Sequence, residues 1–507
     1  MVHTTSKVKV IEEAPESSDV GKREAELIAA RRANLAALRS RGIDPFAATR
    51  FEVTAHADEL ATRYAGLGPE EHAAAETWQI AGRVMSLRGP FADLSDRAGR
   101  FQLYFAKKEL GEAFTLLKSL DRGDFLGATG FVFRTKMGDL ALHVQSFEVL
   151  SKGLAPLPDK WHGLVDIEKR YRQRYVDLIV NPHVRDVFIQ RSKIVAAMRR
   201  FIDAQGFYEC ETPTLLNVAG GAAARPFLTH VNALDIEMTL RIATELNLKR
   251  LIVGGLERVY EIGRIFRNEG IDTTHNPEFT MLELYAAYWS VHEMMEFNEA
   301  LMAHLVADVH GGDTLLYRED AISFKRPFAR IAYLDAMREF GELERETLLS
   351  FAGTQQVLRD LGLPPSPSHA HALDKIFERI VEPKLLHPTF VHDYPVVLSP
   401  LAKRKAGDPE LTDRYELFCA SMEVANAFTE LNDPDDQRCR FELQIAERAA
   451  GDQDVPPPDW DFVNALEYGM PPTAGIGIGV DRLVMLLTNN ASIRDVLLFP
   501  LQRPLPA

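Results

Sequence analysis

A chain of 507 residues predicts roughly two to four domains, and 46% hydrophobic content argues against general disorder. No apolar run approaches the roughly 20 residues that span a bilayer, so no membrane partner is expected. The formal net charge of −15 argues weakly against nucleic acid as a partner, so an RNA ligand would need local basic patches. Three cysteines, Cys210, Cys419 and Cys439, have no zinc-ligand spacing and are odd in number, which fits a reducing cytosol.

Residues 1–21 lack an apolar segment; a disordered tail is expected rather than a secretory signal. Residues 22–42 read as an amphipathic helix opening a helical arm that runs to about residue 70. Leu27, Ile28, Leu35 and Leu38 lie near one side, and Lys22, Arg23, Arg31, Arg32, Arg39 and Arg41 outnumber Glu24 and Glu26. Such a helix either docks on the body or offers an electrostatic arm to a nucleic-acid backbone. Residues 71–151 switch to short strands with glycine-containing turns, interrupted by a helix at 112–120. Strands, helix and more strands is the order of an OB-fold barrel, a binder of single-stranded nucleic acid. Proline-rich residues 152–165 read as a linker. A second domain, 166–507, begins with helical sequence, including a long helix at 184–205 in which Val187, Ile194, Val195, Met198 and Ile202 recur at helical spacing. Residues 290–395 are expected to be mostly helical, and 411–500 return to strands and end in a helix at 480–489.

The most informative stretch is 258–288, where two segments of strand composition flank a polar loop, Asn268 to Asn276. With period 2, Tyr260, Ile262 and Phe266 share one face of the first strand, and Glu261, Arg267 and Glu269 the other. In the second strand Leu282, Leu284 and Ala286 share a face, and Phe279, Glu283 and Tyr285 fall opposite. An antiparallel hairpin of the two has one apolar side. Its other side carries an arginine, carboxylates and aromatic rings, suited to a ligand holding both phosphate and cationic groups. On its own, such a face is more often merely solvated.

Phe266-Arg-Asn-Glu269 followed by His275-Asn-Pro-Glu-Phe279-Thr-Met-Leu-Glu283 resembles motif 2 of the class II aminoacyl-tRNA synthetases. Gly475-Ile-Gly-Ile-Gly-Val-Asp481-Arg482-Leu resembles their motif 3. The helix at 184–205 with Gly206-Phe-Tyr-Glu-Cys-Glu-Thr-Pro213 resembles motif 1, their dimer element. The widest resemblance, from about residue 25 to about residue 504, is to the bacterial lysine-charging branch of that family.

The resemblance implies an α+β fold: an N-terminal OB-fold β-barrel, and a class II antiparallel-sheet catalytic domain with a helical insertion at about 305–390. It implies a cytoplasmic homodimer that uses ATP and Mg²⁺. Such an enzyme activates L-lysine to lysyl-adenylate, then transfers it to the 3′ end of tRNA(Lys). Chemistry of this kind is mostly positioning and charge neutralisation, which calls for arginines, carboxylates and a stacking ring rather than a nucleophile. By resemblance, Arg267 holds the α-phosphate and the substrate carboxylate, and Arg482 the γ-phosphate. Phe279 and Arg482 sandwich adenine, Asn276 and Glu269 read its edge, and His275 lies near the phosphates. Glu283 and Glu430 take the ε-ammonium of lysine, with Tyr285 as hydrogen-bond partner. Glu245 and Gly221 hold the α-amino group, and Asn426 and Phe428 line the channel. An acidic pocket end rejects uncharged side chains and speaks against the sister aspartate and asparagine enzymes. Glu416 and Glu423 match the metal-binding carboxylates, but their parity differs, so a bulge or bend must bring both to one face. In the barrel, Phe91, Gln102 and Asp139 match anticodon-contacting positions.

Several positions depart from the family. The first barrel hairpin, Leu87–Phe91, is short, and Asp139 stands where glutamate is frequent. Ala420-Ser421-Met422 replaces the usual Gly-Gly-Arg, and Val397 replaces a frequent glutamate. Two other readings compete with a tRNA-charging enzyme. A paralogue that loads an amino acid onto a protein would form adenylate normally but fail to charge tRNA. A non-catalytic RNA-binding module should have lost Arg267, Glu269 or Arg482, and all three are present.

Overall fold

The computed structural model describes residues 18–158, 164–449 and 457–505. Most of the expected N-terminal tail and residues 159–163 of the expected linker lie outside the described residues. The chain divides into two compact units, Met1–Gly163 and Leu164–Ala507.

The first unit contains α1 (Ser18–Ser40), α2 (Ala57–Arg63), β1 (Trp78–Arg88), β2 (Phe91–Ser95) and β3 (Arg100–Phe105). These are followed by α3 (Lys107–Leu110), a 3-10 segment (Gly111–Ser119), β4 (Phe125–Arg134) and β5 (Leu140–Ser151). The strands close into a barrel in the order β1-β2-β3-β5-β4, with β3 and β5 parallel and the other pairs antiparallel. Alternation drives closure: along β3, Phe101, Leu103 and Phe105 point inward, while Gln102 and Tyr104 remain half-exposed. The helix expected at 112–120 is mostly 3-10.

The basic helix docks on the barrel. Leu35 and Leu38 of α1 are buried, and Leu38 joins the barrel core together with Leu60 of α2. Arg31 is buried too: its guanidinium donates to the carbonyls of Gly153 (2.7 Å), Ala155 (3.0 Å) and Arg122 (2.9 Å). That arginine fastens the helix, whereas Lys22, Arg23 and Arg32 remain exposed.

The second unit opens with α4 (Ile167–Arg172), α5 (Arg174–Val180), α6 (Pro182–Ala204), β6 (Tyr208–Glu209), β7 (Leu215–Leu216), β8 (Leu228–Val231) and β9 (Ile236–Leu240). Next come α7 (Glu245–Val253), β10 (Arg258–Phe266), β11 (Glu278–Ala287), α8 (Val291–His310), β12 (Thr314–Tyr317), β13 (Asp320–Ser323) and β14 (Ala329–Ala332). Then follow α9 (Tyr333–Gly341), α10 (Arg345–Leu348), α11 (Phe351–Asp360), α12 (His369–Ile380), β15 (Thr389–His392), β16 (Arg404–Lys405), β17 (Asp408–Thr412), β18 (Arg414–Cys419) and β19 (Met422–Thr429). The unit ends with α13 (Pro434–Ala449), α14 (Trp460–Glu467), β20 (Thr473–Gly479), α15 (Val480–Leu487) and α16 (Ile493–Val496).

Eight strands form one sheet in the order β14-β15-β18-β19-β20-β11-β10-β6, antiparallel except at its two edges. One face packs a large core: Leu282 and Leu284 of β11 and Ile476 and Ile478 of β20 meet Met198 of α6, Leu305 of α8 and Val484 of α15. The hairpin keeps the faces its period-2 pattern predicts, with Tyr260 opposite Leu284 and Glu261 opposite Glu283. Ser290 and Glu293 form a capping box at the start of α8, and Gly311 ends it in the left-handed region.

The expected helical insertion contains α9–α12, but strands share the region: the β12–β13 hairpin and β14 precede those helices, and β14 pairs with β15 inside the main sheet. Both strands are four residues long, too short for a period-2 pattern to show in sequence.

Candidate active site

The sheet face opposite the core carries a cavity of about 470 Å³. Of the residues assigned to this unit from sequence, Gly221, Glu245, Arg267, Glu269, His275, Asn276, Phe279, Glu283, Tyr285, Glu423, Asn426, Phe428, Glu430 and Arg482 all line it; Glu416 does not. Alternation explains this: the core takes the even positions of β11, which leaves Phe279, Glu283 and Tyr285 to the cavity.

One end is acidic. Glu283, Glu245 and Glu430 are 4%, 6% and 1% exposed. Glu283 Oε1 accepts from the Thr244 backbone N–H (3.0 Å), and Oε2 accepts from the Tyr285 hydroxyl (3.3 Å). Burial, reinforced by the charge of Glu245, pushes the Glu283 carboxyl up to about 7. Burial also raises Glu430 well above the usual range, opposed by the adjacent Lys249 ammonium. Glu430 Oε2 meets Lys249, and Oε1 is buried with no hydrogen-bond partner. Gly221 stands against Glu245 with φ +87°, and a Cβ there would come within 3.0 Å of Glu245 Cβ. Asn426 Oδ1 accepts from Arg414 Nε at 3.0 Å.

The other end is cationic. The Arg267 guanidinium lies 5.2 Å from the Phe279 ring centroid and donates to the Ile242 carbonyl (3.3 Å). Arg482 donates to the Glu423 carbonyl (3.0 Å) and Oε2 (3.2 Å), with its other terminal nitrogen 3.2 Å from His275 Nε2. So Arg267, rather than Arg482, covers the Phe279 ring here. Asn276 is buried; its Nδ2 donates to the Glu278 carbonyl (2.6 Å) and its Oδ1 has no partner. Asp481, the neighbour of Arg482, is a structural fastening. Its Oδ1 accepts from Arg191 of α6 (2.5 Å) and its Oδ2 from the backbone N–H of Thr280 in β11 (2.6 Å).

Between β18 and β19 lies the bulge that the parity of Glu416 and Glu423 requires. Glu416 faces Asn426 and Leu417 faces Ala425, but Phe418 faces Glu423, so Val424 is the extra residue. Without it, Glu423 would turn into the core. Glu416 Oε2 accepts from the Tyr394 hydroxyl (2.7 Å) and Oε1 from Arg414 (2.5 Å). Burial pushes Glu416 up to about 7, opposed by the Arg414 guanidinium and added to, less strongly, by the charge of Glu423. Glu382 is likewise pushed up to about 7 by burial and by neighbours that include Glu423 and Glu416. Among the described residues, no cluster of three or more His, Cys, Asp or Glu is arranged to hold a metal ion. The two strands join through Ala420 and Ser421, at φ +54° and +56°, where the family's usual glycines would be unstrained.

Residues 166–503 match the family model of class II tRNA synthetases (D, K and N), and residues 78–150 match that of the OB-fold nucleic acid binding domain. A lysine–tRNA ligase of Bacillus subtilis is 52% identical over 481 residues, covering 93% of this chain and 96% of that protein. Those of Pelotomaculum thermopropionicum and Halalkalibacterium halodurans are 51% and 50% identical, each covering 94% of this chain and 95% and 97% of their own lengths. The chain belongs to the class II lysine–tRNA ligases.

The barrel of this synthetase carries its own candidate surface. Phe91 stands at the start of β2 with its ring 4.9 Å from Tyr104, and Gln102 lies beside it on β3. Asp139 is exposed in the β4–β5 turn, where its backbone N–H donates to Thr135 Oγ1 (3.0 Å). Sequence reasoning missed the platform around Phe91: Tyr104 meets Phe133 (5.6 Å) and His143 (5.2 Å), and Phe131 stacks on His143 at 4.8 Å. The signal was the run of outward aromatics at alternate positions, Phe131 with Phe133 and Tyr104 beside Gln102. Sequence reasoning also missed Arg414 in the cavity wall and Lys249 behind it, each from a segment that reads as ordinary strand or helix, and gave no role to Asp481 of the motif 3 stretch.

Proposed function

We propose that this cavity carries both half-reactions of a lysine–tRNA ligase, with the residue roles that the sequence suggested. The enzyme activates L-lysine with ATP and transfers it to the 3′ end of tRNA(Lys) in protein synthesis. In the first step a lysine carboxylate oxygen attacks the α-phosphorus of ATP. The bond to the bridging oxygen breaks, and pyrophosphate leaves with that electron pair. In the second, a ribose hydroxyl at the tRNA end attacks the adenylate carbonyl, its proton is released, and AMP departs.

One observation carries the assignment: a single cavity joins a buried acidic arrangement to a half-buried cationic one. Glu283, Glu430 and Glu245 form an acidic end, and Arg267 and Arg482 a guanidinium end. Guanidinium stays charged and grips phosphate in two-point fashion, so Arg267 orients the α-phosphate and the attacking carboxylate, and Arg482 the γ-phosphate. Phe279 offers its face to adenine. The free Oδ1 of buried Asn276 suits the adenine amino group, with Glu269 and His275 at the rim. Glu245 beside Gly221 takes the α-ammonium, and Glu430 and Glu283 with Tyr285 take the ε-ammonium. Asn426 and Phe428 wall the aliphatic chain.

Mg²⁺ fits Glu416 and Glu423. The bulge turns both to one face, and their mutual repulsion is what a cation would relieve. Two carboxylates suit an ion held mainly by phosphate oxygens and water, and bound there it would neutralise charge developing on the leaving pyrophosphate. We assign Phe91, Gln102 and Asp139 to the anticodon, and residues 22–70, 71–151 and 166–507 to arm, barrel and catalytic domain. A homodimer and a cytosolic location complete the proposal. Free Cys210, Cys419 and Cys439 are consistent with that location, and no described helix is long and apolar enough to cross a membrane.

The test is ATP–pyrophosphate exchange driven by lysine, with aspartate and asparagine as controls, on wild type and Glu430→Gln. Loss of lysine activation with ATP binding kept is the expected result. Unchanged lysine activation in that variant removes Glu430 from the pocket.

A further inference from the structure

Glu245, Glu283 and Glu430 place three buried carboxylates around the acidic end of one cavity. L-lysine brings two ammonium groups. Two cations cannot neutralise three anions, and a buried carboxylate left uncompensated is costly. The missing cation belongs to the chain. Lys249 lies on α7, one turn after Glu245, and its side chain is fully buried. Its Nζ is 2.5 Å from Glu245 Oε1 and directly touches Glu430 Oε2. The rings of Phe428 and Phe462 flank it at 5.4 and 5.7 Å.

We propose that Lys249 is a specificity-determining residue: a built-in third ammonium that makes the pocket neutral only around a substrate with two ammonium groups, while holding Glu245 and Glu430 at a fixed spacing that measures chain length. The inference rests on the assignment of those two glutamates to the substrate's α- and ε-ammonium groups.

The bond pattern shows how one residue serves both ends. Lys249 engages one oxygen of Glu430 and leaves Oε1 buried and unpartnered, free to accept from an incoming ammonium. It engages Oε1 of Glu245 in the same way, so both carboxylates are oriented before substrate arrives. The titratable groups around it are Glu245 on its own helix, Glu430 just after β19, and Glu283 and Tyr285 on β11. Burial works against the lysine charge, but the two bridged carboxylates outweigh it, so Lys249 stays an ammonium. Burial works against the Glu430 charge too, and Lys249 is the cation that restrains it. Without that cation the balance at Glu430 would move further toward the protonated form. Its free oxygen would then meet the ε-ammonium with weaker or no attraction, and lysine binding would require the proton to leave.

The experiment is pyrophosphate exchange on Lys249→Met, which keeps length and removes charge, with lysine and ornithine as alternative substrates. The KM for lysine should rise at least about tenfold with the KM for ATP unchanged. The preference for lysine over ornithine should shrink. The lysine KM should also fall more steeply with rising pH than in wild type, as the extra proton is lost. A purely packing role predicts instead that lysine and ornithine suffer alike with the pH profile unchanged; that outcome, or an unchanged lysine KM, overturns the proposal. Should Lys249→Met not fold, Lys249→Ala with added propylammonium decides: recovered lysine activation supports the proposal, and no recovery overturns it. Glu430→Gln separates the two levels. If it leaves the lysine KM unchanged, the pocket assignment itself fails; if it raises that KM while Lys249→Met does not, only the role of Lys249 fails.

Discussion

Replacing Gly475 by alanine tests the acidic end with a single methyl group. Gly475 sits in β20 with Tyr285 opposite on one side and Phe428 opposite on the other. A Cβ there would overlap Glu430 Oε1 and the Tyr285 ring edge, reaching 2.6 Å from Cδ1. Neither neighbour can retreat without loss. Glu430 is tied to Lys249 through its other oxygen, and Tyr285 is 3% exposed and hydrogen-bonded to Glu283. Overpacking of this kind costs about 1–3 kcal/mol, and about 1.4 kcal/mol is a factor of ten. Because the displaced groups are those assigned to the ε-ammonium, the cost falls on lysine. We expect kcat/KM for lysine to drop about 10- to 100-fold while the KM for ATP stays within about twofold. Pyrophosphate exchange with each substrate varied in turn measures both, and a thermal melt reports the accompanying loss of stability. An intact lysine kcat/KM would refute the reasoning, as would equal losses for lysine and ATP.

Other perturbations follow from the same geometry. Glu283, pushed up to about 7, is stabler protonated: the folded state loses stability as pH rises from the ordinary carboxylate range through 7. Lysine capture needs the ionised form, so kcat/KM for lysine should climb through that window, and Glu283→Gln should flatten both trends in melts and rate profiles. Glu423→Ala removes one of the two carboxylates assigned to Mg²⁺; exchange activity should fall at least about tenfold, and activity with normal Mg²⁺ dependence would sink the assignment. Ala420→Gly and Ser421→Gly relieve left-handed backbone and should each raise unfolding stability by up to about 1 kcal/mol in denaturant titrations. Tyr104→Ala removes part of the barrel's aromatic platform. Charging of tRNA should weaken by about 10- to 100-fold in kcat/KM, as expected for one lost base stack, with pyrophosphate exchange unchanged.

The two faces of the hairpin at 258–288 were legible, because a sheet buried on one face forces strict alternation. The Glu416–Glu423 parity conflict was legible as well, and its resolution by one extra residue was foreseeable from the chemistry both carboxylates must share. What stayed hidden has two physical causes. β14 and β15 are four residues each and owe their place to pairing partners far along the chain, not to local pattern. Lys249 follows Glu245 by four residues in a helix, the commonest pattern of a solvated surface pair. Only the packing of Phe462 and Phe428 around it shows that the pair is interior. Arg31 deceived in the same way, since a cation in a basic helix gives no hint that three carbonyls surround it.

The Asp481–Arg482 pair has a mechanical consequence. Adjacent residues divide two duties, one bolted to α6 and β11 and the next reaching into the cavity, to Glu423 and His275. A single peptide unit separates anchor from working tip, so there is no slack to absorb motion. A shift of α6 would be transmitted to the guanidinium we assign to the nucleotide almost undiminished.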